Sequence, residues 1–194
     1  MIYKVSSIVR SKRNHILKLK GPKLDYKPGQ FVMLKYGDIK RPYSISSAPD
    51  FDYLEFFITN VGGTFTSKLD DLYDKEIEVI GPYGNFTFDG EERAIFISSG
   101  SGISPIMSMI RSIKNSGDYH LFASFKYLDD NLYSSELKSI RHIKVNIRYT
   151  QEGDSRFSLE DFNEFKDYKA YLCGNKEFVL NFAKIFSNKK FEYW

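Results

Sequence analysis

Four consecutive residues, Arg41-Pro42-Tyr43-Ser44, bring a cation, an aromatic ring and a hydroxyl together on a predicted β-strand. Because side chains alternate along a strand, Arg41 and Tyr43 are predicted on one face, and Pro42 and Ser44 on the other. A guanidinium holds phosphate through charge-assisted hydrogen bonds, and a neighbouring phenol can lie against a flat ring. The pattern suits a phosphorylated heterocycle, but an edge strand with an ordinary surface arginine is the alternative.

A second segment with phosphate-binding potential is Gly62-Gly63-Thr64-Phe65-Thr66. Two glycines before a predicted helix over 64–73 would expose backbone N–H groups, and two threonine hydroxyls stand beside them. A turn followed by a helix cap would look the same. If this segment lies near Arg41, both could bind one phosphate.

The segment from Gly100 to Pro105 has the pattern Gly-x-Gly-x-x-Pro. It follows a predicted strand over 94–98 and precedes a predicted amphipathic helix over 105–114, which is the context that a dinucleotide pyrophosphate requires. Proline suits a first helical position, because its missing N–H would have no partner there. The last residue is not glycine, so this is not the common dinucleotide fingerprint, and a plain glycine-rich turn is the alternative.

The remaining sequence predicts two domains that would position these segments. Six short strands with period-two alternation predict a small closed antiparallel barrel, at 3–10, 15–20, 30–36, 41–47, 53–60 and 76–82. After the polar stretch 89–92, strands alternate with helices, which predicts a parallel sheet covered on both faces. These strands are predicted at 94–98, 121–125, 144–150 and 170–173, and the helices at 105–114, 131–140, 158–165 and 176–186. The boundary gives a barrel domain of residues 1–89 and an α/β domain of residues 90–194.

Composition excludes several classes of protein. The 194 residues are 42% hydrophobic and 27% charged, which is typical of a globular chain. Cys173 is the only cysteine, so the chain predicts no disulfide, metal site or iron-sulfur cluster of its own. A net charge of +3 is weak for nucleic-acid binding. No signal peptide or run of about 18 apolar residues is seen, so a soluble cytoplasmic protein is expected.

Together these segments resemble the ferredoxin-NADP reductase family. Its members carry an Arg-x-Tyr-Ser strand, a Gly-x-x-Ser/Thr helix start and a Gly-x-Gly-x-x-Pro turn. Two further matches are the junction Gly81-Pro82-Tyr83-Gly84-Asn85-Phe86 and the strand end Cys173-Gly174. The resemblance covers nearly the whole chain and implies a flavin-binding barrel followed by an NAD(P)-binding α/β domain.

The resemblance implies a role for each matched residue. Arg41 and the helix start would bind the flavin phosphate, Tyr43 would pack on the isoalloxazine, and Ser44 would lie near flavin N5. The implied flavin-binding residues are Arg41, Pro42, Tyr43, Ser44, Phe57, Ile58, Thr59, Gly63, Thr64, Phe65, Thr66 and Trp194. The implied NAD(P)-binding residues are Gly100, Ser101, Gly102, Pro105, Lys126, Arg156, Cys173 and Gly174.

Four residues are implied to be catalytic: Ser44, Cys173, Glu192 and Trp194. Trp194 would stack on the flavin as a lid, with Tyr193 as the alternative lid and Glu192 near the proton path. The alternatives are that Cys173 is an ordinary buried residue of the core and that the C-terminus is frayed.

The implied activity is hydride transfer between NAD(P)H and a bound flavin, with electrons exchanged with ferredoxin, flavodoxin or a similar redox partner. FAD is the expected flavin, with FMN as the alternative. Lys126 and Arg156 favour NADPH, whereas Asp129 and Asp130 could instead accept from a ribose hydroxyl of NADH. Two alternatives are a reductase that uses free flavin as substrate and an electron-transfer subunit of a larger complex.

Overall fold

The computed structural model describes residues 1–193, and its N-terminal part is a six-stranded antiparallel sheet. The strands run in the order β4-β3-β6-β1-β2-β5. Their bounds are β1 (Ile2–Arg10), β2 (Asn14–Lys20), β3 (Phe31–Tyr36), β4 (Ile39–Ser44), β5 (Leu54–Thr59) and β6 (Glu76–Tyr83). All six predicted strands are therefore present, within a few residues of their predicted ends.

The sheet curls so that its edge strands β4 and β5 approach each other just beyond β4. There the backbone N–H of Ser46 donates to the carbonyl of Glu55 at 2.7 Å. The barrel interior is filled by apolar side chains from alternating positions, such as Val32 and Leu34 of β3, both 0% exposed. The predicted helix over 64–73 is a 3₁₀ helix, Thr66–Leu72, which adds buried leucines to this core.

The C-terminal part is a five-stranded parallel sheet in the order β11-β10-β7-β8-β9. Its strands are β7 (Arg93–Ser99), β8 (Asp118–Phe125), β9 (Lys144–Tyr149), β10 (Lys169–Gly174) and β11 (Lys189–Tyr193). The helices are α1 (Ile103–Arg111), α2 (Ser134–Ser139) and α3 (Lys176–Ala183), with 3₁₀ helices Gly100–Gly102, Leu128–Asp130 and Glu160–Phe165. Separate apolar clusters cover the two faces of the sheet, as the predicted fold class requires.

Several helix boundaries differ from the predictions. Helix α1 begins at Ile103, so Pro105 is its third residue rather than its first. Proline is tolerated there because none of the first four N–H groups of a helix has a partner inside the helix. The predicted helix over 131–140 is shortened to α2 and preceded by a separate 3₁₀ turn. The predicted helix over 158–165 is a 3₁₀ helix, Glu160–Phe165, and the Asp161 carboxylate accepts from the Ser158 N–H just before it at 2.7 Å.

The C-terminus forms a strand that the sequence did not indicate. Strand β11 pairs in parallel with β10, and Glu192 lies opposite Cys173 in the register. The alternative of a frayed end does not hold for Glu192 and Tyr193, because both lie in the strand that completes the edge of the sheet. The predictions for Trp194 lie outside the described residues.

The segment between the two sheets is held by side chains of the second sheet. The Tyr171 hydroxyl donates to the Glu91 carboxylate at 2.7 Å, and Lys190 pairs with Asp89 at 2.6 Å. The predicted boundary after residue 89 falls within this segment. Within residues 1–193, no helix is long and apolar enough to cross a membrane.

Candidate functional site

Two cavities lie where the sheets meet. The first, here called the barrel cavity, has a volume of about 390 Å³. It is lined by Phe31, Pro42, Tyr43, Ser44, Phe57, Ile58, Thr59, Val61, Ser101, Ser104, Glu192 and Tyr193. Thus the cavity brings together predicted residues of β4, β5 and the C-terminal strand, and adds Phe31, Val61 and Ser104, which were not predicted. The predicted flavin-binding residue Arg41 and the segment 63–66 line neither cavity.

The end of β4 forms one wall of the barrel cavity. Tyr43 is half-buried against the ring of Phe65, with ring centroids 5.2 Å apart, and burial raises its pKa to about 12. Its hydroxyl is therefore neutral at physiological pH. Next to it, the Ser44 carbonyl accepts a hydrogen bond from the Ser104 hydroxyl at 2.7 Å. Apolar rings with neighbouring hydroxyls make this wall suitable for a flat heterocycle.

Arg41 and the glycine-rich segment are adjacent, as the predicted phosphate site requires. Arg41 is exposed, and its Nη2 lies 3.5 Å from the Thr64 hydroxyl. The predicted backbone donors are already used, since Gly62 N–H donates to Asn60 Oδ1 at 2.9 Å and Gly63 N–H donates to Thr66 Oγ1 at 3.0 Å. The cationic side chain and the Thr64 hydroxyl, rather than the glycine N–H groups, are therefore the groups that can bind phosphate.

The second cavity, here called the interdomain cleft, has a volume of about 610 Å³. It is lined mainly by the carboxyl ends of β7 and β8, the loops after β8 and β9, helix α3 and residues of the barrel. The lining residues are Arg13, Asn14, Thr59, Val61, Ser99, Gly100, Ser101, Ser124, Phe125, Lys126, Asp130, Thr150, Arg156, Phe157, Asn175, Glu177, Phe178, Asn181 and Phe182. Three residues, Thr59, Val61 and Ser101, line both cavities, so the two spaces meet.

The turn after β7 has the features of a dinucleotide-binding turn. Gly100 has a φ of 53°, and a Cβ atom there would meet nothing within 4 Å. A Cβ on Gly102 would instead collide with the Cys173 carbonyl, so this glycine allows α1 to approach β10. The Ser99 hydroxyl is buried without a hydrogen-bond partner among the described residues. An unpartnered donor beside an open turn at a helix start fits a bound pyrophosphate.

Lys126 and Arg156 both reach the cleft, although 30 residues separate them in the chain. The Gln151 N–H donates to the Lys126 carbonyl at 2.9 Å, which ties the ends of β8 and β9 together. Arg148 Nη1 donates to the Arg156 carbonyl at 3.0 Å and so holds the loop that carries Arg156. These bonds place two cations in one cleft, where they can bind a phosphate.

Cys173 and Glu192 occupy different environments although they are register partners. Cys173 is 0% exposed and packs in the core, and burial and the nearby Glu192 raise the pKa of its thiol well above the usual value. It lines neither cavity. Glu192 does line the barrel cavity, and burial raises the pKa of its carboxyl. Of these two residues, which the sequence predicted to be catalytic, only Glu192 lines a cavity.

One face of helix α1 donates hydrogen bonds to the backbone at the end of β4. Ser104 donates to the Ser44 carbonyl, Ser108 donates to the Ser47 carbonyl at 2.6 Å, and Arg111 donates to the Ser46 carbonyl at 2.8 Å. These three residues follow the spacing i, i+4, i+7 on an otherwise apolar helix. This polar stripe is visible in the sequence and could have indicated the contact. The helix that begins at the dinucleotide turn is therefore bound to the end of β4.

Arg111 also anchors a buried acid of the barrel. Its Nη1 lies 2.7 Å from Glu55 Oε1, and the two side chains are 8% and 2% exposed. The Tyr133 hydroxyl donates to the same oxygen at 2.8 Å. Burial acts most strongly and raises the pKa of Glu55, but the charge of Arg111 and the hydrogen bonds from Arg111 and Tyr133 together outweigh it, so the pKa lies below its usual value. Glu55 is thus a paired carboxylate that links the two domains.

The antiparallel barrel, the parallel α/β sheet and the two adjoining cavities make a two-domain architecture with space for two ligands. Residues 2–88 match the family described as the oxidoreductase FAD-binding domain. Over its whole length the chain shares its fold with the ferredoxin NADP⁺ reductase of Neisseria gonorrhoeae with bound FAD and NADP, at a TM-score of 0.83, 16% identity, and coverage of 100% and 98% of the two chains. The chain thus has the fold of this reductase, and its barrel domain matches an FAD-binding domain family.

Two of the curated relatives that match by sequence show the extent of the similarity. Ferredoxin–NADP reductase B of Sorangium cellulosum is 33% identical over 136 residues, which cover 64% of this chain and 56% of that protein. The phenol hydroxylase P5 protein of Acinetobacter pittii is 29% identical over 178 residues, covering 78% and 50% of the two. The chain thus spans between half and three-fifths of the length of these relatives.

Proposed function

We propose that this protein binds FAD in the barrel cavity and transfers hydride between that flavin and NADPH bound in the interdomain cleft. The observation that carries the proposal is that the two cavities share Thr59, Val61 and Ser101. Rings bound in the two cavities would meet at these residues. When bound, the flavin accepts two electrons as hydride and can release them singly.

The residues of the barrel cavity support flavin binding. The Tyr43 ring and the backbone of β5 provide a flat and largely apolar wall, while Arg41 and Thr64 bind phosphate at the surface. Ser44 would hold its position because its carbonyl is bound by Ser104. Glu192 would be a proton-holding group at the cavity, since burial raises the pKa of its carboxyl.

The cleft supports NADPH rather than NADH. Lys126 and Arg156 are cations at the cleft wall, in the position proposed for binding the 2′-phosphate. Asp130, which could have accepted from a ribose hydroxyl, is only 6% exposed in its side chain and lies 3.3 Å from Arg13. With that carboxylate already engaged, the cleft favours the phosphorylated coenzyme.

We infer that the electron acceptor or donor is a small redox protein. These 194 residues contain a single cysteine and so cannot hold a thiolate-bound one-electron cluster, which supports the passage of single electrons to a centre outside them. The names of the relatives, among them a ferredoxin–NADP reductase and a phenol hydroxylase component, support a ferredoxin or flavodoxin-like partner. Reduction of free flavin as a substrate is the second candidate, because Arg41 and its neighbours lie at the surface.

The proposal is tested by purifying the protein, passing it through gel filtration and identifying the flavin that remains bound. We expect a yellow protein that releases FAD on denaturation and loses its flavin absorbance when NADPH is added without oxygen. NADH should require a higher concentration. A protein that retains its flavin but is not reduced by either coenzyme would overturn the proposal, whereas complete loss of flavin on the column would favour the free-flavin alternative.

A further inference from the structure

A cation of the barrel reaches the interdomain cleft. Arg13 lies in the turn between β1 and β2, and its side chain is 37% exposed at the cleft wall. The neighbouring Arg10, on the same hairpin, instead pairs with Asp70 at 2.9 Å and does not line the cleft. Of these two arginines, only Arg13 lines the cleft.

Arg13 is held by the loop that follows β8. Its Nε lies 3.3 Å from Asp130 Oδ1, and its guanidinium carbon lies 5.6 Å from the centre of the Tyr127 ring. Next to it, the Asn14 amide donates to the Asp130 carbonyl at 2.9 Å, so the hairpin and the loop are joined twice. This is the loop that begins with Lys126, one of the two cations proposed for the 2′-phosphate.

Asp130 is an acid at the place where a phosphate would bind. Its other carboxylate oxygen, Oδ2, accepts from the Tyr127 N–H at 3.3 Å, and the side chain is 6% exposed. A buried carboxylate without a counter-charge would repel phosphate strongly, because the low local dielectric weakens screening. Arg13 supplies that counter-charge from the other domain.

We propose that Arg13 determines coenzyme preference by neutralising Asp130, which allows the cleft to accept the 2′-phosphate of NADPH. The inference rests on the proposed function, because it assigns the 2′-phosphate to the wall formed by Lys126 and Arg156. Arg13 is a positioning residue that acts through Asp130. Without Arg13, the free carboxylate disfavours the phosphate and can accept from a ribose hydroxyl.

The experiment measures binding of 2′,5′-ADP and 5′-AMP to the flavin-loaded protein by titration calorimetry. These ligands differ only in the 2′-phosphate, so the ratio of their dissociation constants reports on that group alone. We expect Arg13→Gln to lower the preference for 2′,5′-ADP by about tenfold, corresponding to about 1.4 kcal/mol. Arg10→Gln, the matched control on the same hairpin, should keep the wild-type ratio.

A second variant distinguishes neutralisation from direct contact. Adding Asp130→Asn to Arg13→Gln removes the uncompensated charge but keeps an oxygen that can accept from Tyr127 N–H. We expect this double variant to regain most of the wild-type ratio, as coupled residues should. If it stays as weak as Arg13→Gln, then Arg13 does not act through Asp130 and the inference is wrong.

The two proposals fail differently. If the wild-type protein binds 5′-AMP as tightly as 2′,5′-ADP, the proposed NADPH preference is wrong. If the wild-type protein prefers 2′,5′-ADP and Arg13→Gln keeps that preference in full, the proposed coenzyme stands and the role of Arg13 is overturned. The readout is a binding ratio, which a general loss of stability would not change.

Discussion

The barrel cavity and the interdomain cleft meet at three residues but differ in how they are built. The barrel cavity is lined mainly by rings, aliphatic groups and hydroxyls, and Glu192 is its one charged residue among the described ones. The cleft contains the cations Arg13, Lys126 and Arg156 together with the acids Asp130 and Glu177. An apolar wall suits a resident cofactor, whereas solvated charges suit a ligand that binds and leaves.

The difference also extends to the chain segments that supply each cavity. Half of the residues that line the barrel cavity come from β4 and β5, which end and begin within ten residues of each other. The cleft combines the β1–β2 turn with loops and helices of the second sheet. Helix α1 links the two, because its start borders the cleft and its polar face binds the end of β4. The connection can therefore be broken at Arg111, which lines neither cavity, without replacing a residue of either cavity wall.

The largest effect is expected from breaking that connection at Arg111. Arg111→Met leaves Glu55 buried without its main counter-charge, which should lower the free energy of unfolding by about 3–5 kcal/mol. Urea unfolding of the flavin-loaded protein measures the effect. As a control, Lys114→Met removes only the exposed pair with Asp50 and should cost less than about 1 kcal/mol. Equal losses in the two variants would contradict the buried network.

A smaller and more selective effect is expected at the barrel cavity. Arg41→Ala removes a charge-assisted contact with the flavin phosphate and should weaken FAD binding by about 10- to 100-fold. FAD titration of the flavin-free protein, followed by flavin fluorescence, measures it. Lys40→Ala removes the neighbouring exposed cation and should leave the affinity unchanged. An unchanged affinity in Arg41→Ala would remove this residue from the flavin site.

The features that were predicted best from the sequence are the strands and short motifs, which depend on neighbouring residues. Strand alternation located all six strands of the barrel, and the short motifs around Ser44 and Gly100 include residues that line the two cavities. Each motif is contiguous, so its local geometry follows from a few residues. The helix ends were less predictable, since a cap depends on which side chain reaches the backbone, as Asp161 does for Ser158.

What could not be predicted depends on distant residues. The pair of Glu55 with Arg111 joins positions 56 residues apart, and no local pattern marks either one as buried. In the same way, Arg13 and Asp130 meet only because the two domains pack together. Strand β11 (Lys189–Tyr193) was not predicted, because polar and apolar residues alternate only weakly in its sequence. It lies at the edge of the sheet and pairs with β10 alone. Long-range packing, rather than propensity, decides these features.

The smallest effect is expected from two variants of the interdomain cleft. Compared with Arg41→Ala, they test most directly whether the flavin and the coenzyme bind in different cavities. Lys126→Ala and Arg156→Ala should each weaken 2′,5′-ADP binding by up to about fivefold, as expected for exposed charges. Both should keep wild-type affinity for FAD. Arg41→Ala, saturated with FAD, should keep wild-type affinity for 2′,5′-ADP.

The deciding measurement is therefore the affinity of each of these three variants for both ligands. The account predicts a crossed result, in which the Arg41 variant loses only FAD binding and the cleft variants lose only 2′,5′-ADP binding. Loss of both ligands in any one variant, or loss of FAD binding in a cleft variant, would contradict the assignment of the flavin to the barrel cavity and the coenzyme to the interdomain cleft.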